Sequence, residues 1–139
     1  MRRVAVTGLG AVTPLGLDAQ STWEAAVAGR SGVDFIQSFD ATGFPVRIAS
    51  EVKGFEPAQY LSPKEIKRTE RFTQFAIAAS KKAVADAAIA LDGADPFRYG
   101  VVIGTGIGSM RLVEEQHSVL LAKGPKKITP FMIPMLICN

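Results

Sequence analysis

Apolar and polar positions change their period several times along the 139 residues. At the start, "RVAVT" (3–7) is an apolar run of strand length, and Gly8 and Gly10 end it. Pro14 and Gly16 continue the loop. In "STWEAAVAGRSG", Ser21 and Glu24 have capping-box spacing and Gly29 stands where a helix stops. This predicts a short helix over 22–28. Residues 33–54 are interrupted by Gly43, Pro45 and Gly54, and the alternation in "VRIASEV" (46–52) predicts a short strand.

The longest helical pattern follows. Ser62 is the expected N-cap, Pro63 the first helical residue and Glu65 the partner of a capping box. From there to Leu91 no Gly or Pro intervenes, and Ile77, Val84, Ala88 and Leu91 recur on one helical face. The many alanines predict close packing against other elements. "DGADP" (92–96) closes this helix, "YGVVIGTG" (99–106) predicts a second buried strand, and 110–122 predict another helix, stopped by "KGP". The end, "TPFMIPMLICN", is apolar to within one residue of the terminus. Met135, Leu136 and Ile137 resemble the start of a buried element. The expectation is that residues 1–139 are the N-terminal portion of a domain that continues in a longer protein.

Composition narrows the class. Apolar residues at 47% suffice for a core, and 21% charged residues argue against disorder. A net charge of +3 is too small for a dedicated nucleic-acid binder and fits a local basic patch. One cysteine, Cys138, excludes an internal disulfide and suits a reducing compartment. Cys138 and the single histidine, His117, cannot make a usual structural metal site, so no metal is expected. Arg2 and Arg3 are followed by Gly, Thr and Pro rather than by a signal-peptide core. No apolar run approaches the ~20 residues that span a bilayer. The expected location is cytoplasmic, with no membrane and no nucleic-acid partner.

"VVIGTGIGSM" (101–110) invites a nucleotide-loop reading. A dinucleotide fingerprint needs G-x-G-x-x-G between strand and helix. At Gly104 the third glycine comes one residue early, and in the run from Gly8 the third position is Thr13. The acidic ribose ligand is not clear after either. The preferred reading is that these glycines let backbone pass close to backbone. A further possibility is that they leave room for a substrate, with Ile107 as the bulky side chain at its mouth.

Lys64, Lys67, Arg68 and Arg71 fall at i, i+3, i+4 and i+7 of the expected long helix and so share a face. They crowd its first turns, where the macrodipole disfavours cations by a few tenths of a kcal/mol each. Two readings stay open on the residues alone: a solvated charged face, or a docking surface for an anionic partner. Lys123, Lys126 and Lys127 form a second basic cluster, which could steer the same partner.

Four motifs then become specific in combination: "VAVTGLGAVTPLG" (4–16), "AGRSGV" (28–33), "GTGIGS" (104–109) and "KGPKKITPFMIP" (123–134). In this order they resemble the condensing enzymes of fatty acid synthesis, the β-ketoacyl-carrier-protein synthases, most closely the type II elongating enzymes. The resemblance implies an α/β, thiolase-like fold with α-β-α-β-α layers, of which this chain is the N-terminal part, and a homodimer. It implies decarboxylative condensation of an enzyme-bound acyl chain with malonyl carrier protein. The acyl and malonyl thioester substrates travel on the phosphopantetheine of an acidic acyl carrier protein, and no other cofactor is needed.

The family's nucleophilic cysteine, two histidines and lysine lie downstream, so no catalytic residue is expected in this chain. Cys138 lacks the family's small-residue context and is expected to be a buried, inert thiol. His117, in "EEQH", matches no histidine motif and is expected to be ordinary. What transfers is binding. "PKEIKR" matches the carrier-protein site, giving Lys64, Lys67 and Arg68, and "GPKK" gives Lys126 and Lys127. Arg71 shares the stripe but no motif. Ile107 in "GIG" and Met132 in "PFMIP" are the expected acyl-pocket residues. The alternatives are a type I elongating or polyketide ketosynthase, a nucleotide-binding α/β domain, and a noncatalytic carrier-protein-binding module.

Overall fold

The computed structural model describes residues 2–90, 92–93 and 95–137. They fall into two compact units: the described residues of Met1–Glu56 with Ala78–Ile89, and those of Pro57–Ile77 with Ala90–Asn139.

In the first unit, helix α1 runs over Ala19–Val27. It begins three residues earlier than the expected 22–28. Asp18, not Ser21, is its N-cap: the carboxylate accepts the Ser21 backbone N–H at 2.7 Å and the Ser21 hydroxyl at 2.8 Å. These bonds, the backbone one first, hold the Asp18 carboxyl below the usual carboxylate range. Ser21 is therefore a donor inside the helix, and the Ser21–Glu24 spacing is incidental. Strand β1 (Val33–Phe35) pairs antiparallel with β2 (Ile48–Ser50), Val33 opposite Ser50 and Phe35 opposite Ile48. The expected strand 46–52 is thus present as a shorter element.

The expected strand 3–7 forms no ladder with the other described residues, and Val4 is 94% exposed in this segment. "YGVVIGTG" behaves alike in the second unit, with Val102 97% exposed. A strand buries its faces only beside a neighbour that satisfies its backbone groups. Among the described residues the only sheet is β1–β2, so these runs have apolar strand patterning without a ladder.

The predicted long helix is two helices. Helix α2 covers only Pro63–Ile66, and its capping box is complete: Ser62 Oγ accepts the Glu65 N–H, and the Glu65 carboxylate accepts the Ser62 N–H. Helix α3 then runs over Arg71–Asp86. Side-chain bonds span the break at 67–70. Buried Gln74 turns its amide back to donate to the carbonyls of Ile66 (3.3 Å) and Thr69 (3.0 Å), and Thr69 Oγ1 donates to Glu65 O. The chain end of α2 is thereby capped by side chains instead of by another helical turn. At the far end, Ala88 has φ 50°, so the helix stops before the expected Leu91, which lies outside the described residues.

The alanine-rich half of α3 lies in the first unit and meets the N-terminal segment at close range. A Cβ on Gly10 would fall 2.6 Å from Ala83 N, and one on Gly8 would fall 2.6 Å from Ala87 N. The Leu9 N–H donates to Asp86 Oδ2 at 2.8 Å, and Lys82 Nζ to Leu17 O at 2.6 Å. Backbone-on-backbone packing is thus the role of Gly8 and Gly10, as their spacing suggested.

In the second unit, α4 (Met110–Lys123) is capped by Ser109 and ends at Gly124, close to the expected 110–122. A 3-10 turn, Pro125–Lys127, leads to α5, Met132–Leu136. Leu61 and Leu112 are buried in this unit. No helix among the described residues is long and apolar enough to cross a membrane.

Candidate functional site: a basic surface beside the Ile107 turn

The break at 67–70 changes what the basic residues are. Lys64 sits in α2, Lys67 is that helix's C-cap, Arg68 follows in the turn and Arg71 opens α3. They are not one stripe on one helix. The macrodipole argument also loses its force for Lys67 and Arg68: they follow the C-terminus of the one-turn α2, where cations are favoured, and precede the N-terminus of α3, where they are not. Helix polarity therefore gives no reason to expect a partner at these two positions, and the case for a binding surface rests on exposure and clustering.

Both are visible. Lys64, Lys67, Arg68, Lys126 and Lys127 are all exposed. None of the five forms an ion pair among the described residues. The Arg68 guanidinium lies 4.9 Å over the ring of Phe131. Phe131 follows the 3-10 turn that carries Lys126 and Lys127, so this stacking brings the second basic segment against the first. A groove of about 410 Å³ between Ser62, Lys64, Glu65, Arg68 and Thr69 opens on this surface. A second, of about 480 Å³, lies among Lys67, Glu70, Arg71, Gln74, Arg111 and Met135. Long cations with solvated heads around shallow grooves suit a reversible contact with an anionic macromolecule.

Sequence reasoning missed Glu70 and Gln74. Glu70 is only 5% exposed. Its carboxylate accepts the Ser109 hydroxyl at 2.6 Å and Arg111 Nη2 at 3.1 Å, and Arg111 also reaches Glu115 at 3.0 Å. Both residues stand inside an apparently uninterrupted helical run, and their partners lie far away in sequence or in an unforeseen turn. The available sign was an acid and an amide four apart, on a face otherwise rich in apolar residues.

Ser109 joins this network to the glycine turn. Its Oγ also accepts the Leu112 N–H at 3.2 Å and so caps α4. Gly108 has φ +80°, a conformation that favours glycine, and a Cβ there would strike Leu136 O of α5. Ile107 projects from this turn and is 73% exposed, while Gly104 and Gly106 have open space where a Cβ would stand. Met132 is half-buried at the start of α5. His117 is exposed on α4 and Cys138 lies outside the described residues.

The whole of 1–139 matches the family model described as β-ketoacyl synthase, N-terminal domain. The chain belongs to the β-ketoacyl synthase family. It is 46% identical over 138 residues to a 3-oxoacyl-(acyl-carrier-protein) synthase 2 of Synechocystis sp., covering 99% of this chain and 33% of that relative. A Coxiella burnetii protein of the same name has the same identity and coverage. The chain thus spans about a third of the length of these relatives. Among solved structures, the ishigamide ketosynthase/chain length factor superposes with a TM-score of 0.80 at 30% identity, over 98% of this chain and 34% of that one. The fold is therefore that of the N-terminal part of the thiolase-like ketosynthases, as the motifs implied.

Proposed function

We propose that this chain is the N-terminal part of a 3-oxoacyl-carrier-protein synthase of the type II elongating kind. The complete enzyme joins an enzyme-bound acyl chain to malonyl carrier protein with loss of carbon dioxide. The product is a β-ketoacyl chain two carbons longer. Within that enzyme this segment supplies carrier-protein docking, part of the acyl pocket and part of a dimer surface. The nucleophile and its histidines and lysine belong to the remainder. Both thioester substrates arrive in the cytoplasm on the carrier's phosphopantetheine, and no further cofactor takes part.

The observation that carries the reading is the Arg68–Phe131 stacking, which gathers exposed cations from two distant segments around one surface. An acidic carrier protein presents the complementary field, which speeds and orients encounter more than it tightens it. Lys64, Lys67, Arg68, Lys126 and Lys127 are the docking residues in this account. Ile107 and Met132 face the acyl chain. A thioether at Met132 adapts to irregular apolar neighbours and so affects the preferred chain length. The identity of 46% to a relative named 3-oxoacyl-(acyl-carrier-protein) synthase 2 supports this reading.

The test is charge reversal in the complete synthase. Lys67→Glu with Arg68→Glu is expected to weaken carrier-protein binding at low salt and to flatten its dependence on ionic strength. Transfer from a small acyl thioester that lacks the carrier stays unchanged. Unaltered carrier affinity at low salt would reject the surface as the docking site.

A further inference from the structure

We propose that Glu70 is a positioning residue that sets acyl-chain selectivity by fixing the turn that bears Ile107. The proposal rests on the reading above, in which Ile107 meets the acyl chain.

Ile107 is 73% exposed in this segment; Gly106 before it has open space at its Cβ position, while Gly108 after it packs against Leu136 O of α5. Its position follows from the two ends of its turn. Inside the turn, the Gly108 N–H donates to Thr105 Oγ1 at 3.1 Å, which closes the loop on itself. Beside the packing of Gly108 on α5, the hydrogen-bonded tie to the rest of the unit is Ser109, whose hydroxyl donates to Glu70 at 2.6 Å while accepting the Leu112 N–H. A buried carboxylate is an exacting anchor. Each of its bonds is charge-assisted, and at 5% exposure the carboxylate offers little surface to water that could take over if Ser109 moves. Glu70 is in turn fixed from behind. Its carbonyl accepts the Gln74 N–H at 3.1 Å as α3 begins, and Arg111 holds the carboxylate from the first turn of α4. In this account Glu70 acts through Ser109, on the placement of Ile107.

The experiment compares kcat/KM for short and long acyl-carrier substrates in the complete synthase. The ratio between them is independent of how much enzyme is folded, so a purely structural loss cancels. Ile107→Ala is the reference and is expected to shift the long-over-short ratio. Glu70→Gln keeps the shape and an acceptor oxygen but removes the charge that strengthens the bond, and Ser109→Ala removes the bond itself from the other side. Each is expected to shift that ratio by about tenfold, the effect of losing one charge-assisted bond. The double variant is expected to shift it no more than either single one. If Ile107→Ala shifts the ratio while Glu70→Gln and Ser109→Ala depress all chain lengths alike, the positioning role is overturned and the pocket reading stands. If Ile107→Ala leaves the ratio unchanged, the pocket reading fails and this inference falls with it.

Discussion

Gly10→Ala tests how the N-terminal segment is held. The added methyl carbon would lie 2.6 Å from Ala83 N, 2.9 Å from Ala79 C and closer still to Ala79 O. Contacts under 3.0 Å are essentially never seen for real Cβ atoms, and all three neighbours are backbone. No rotamer change in α3 can relieve them. The segment must lift away from the helix, and lifting stretches the 2.8 Å bond from Leu9 N to Asp86. Overpacking of this kind costs ~1–3 kcal/mol, and a charge-assisted bond lost with it adds ~1 kcal/mol at an exposed site. An expected total of about 3 kcal/mol corresponds to a fall of roughly 1.5 M in the urea midpoint, for a slope of about 2 kcal/mol/M. Gly43→Ala is the control, because nothing stands within 4 Å of its Cβ position. It should be neutral or slightly stabilising, by up to ~1 kcal/mol through the unfolded chain. Equal midpoints for the two variants would show that the approach of residues 8–10 to α3 is not close, and the reasoning would fail.

Two further outcomes follow from buried and capping groups. Gln74→Leu keeps the volume but strips the Ile66 and Thr69 carbonyls of their side-chain donor, and it should cost ~2–3 kcal/mol in denaturant unfolding; a change within error would mean that the break at 67–70 is set by something else. Asp18 has a folded pKa below its unfolded one, so its contribution is complete above the ordinary aspartate range and is lost as pH falls through the depressed value. Asp18→Ala should therefore lower the melting temperature at neutral pH and flatten its acid limb, and an unaltered acid limb would refute the capping role.

What could be read from the chain was local. The capping box at Ser62 and Glu65, and the stop of α4 at Gly124, depend on residues a few positions apart, and each appears where the motif places it. The break between α2 and α3 was hidden because it is held by side-chain bonds that no motif announces: Gln74 reaches back to Ile66, and Glu70 reaches Ser109 across 39 positions. The apolar runs at 3–7 and 99–106 carry strand patterning, but a ladder needs a partner, and periodicity does not supply one. For the candidate site, motif order named the exposed cations, while the argument from helix polarity misjudged Lys67 and Arg68 because it assumed a continuous helix. Glu70 carries no motif and emerges only from its buried bonds.

The central claim is that an acidic carrier protein lands on the surface gathered by Arg68 and Phe131. Zero-length carbodiimide coupling of carrier carboxylates to lysines of the complete synthase, mapped by mass spectrometry, tests it directly. The account predicts cross-links at Lys64, Lys67, Lys126 and Lys127 that vanish at high salt. Cross-links confined to other lysines, such as Lys53 or Lys81, with those four unmodified, would contradict it.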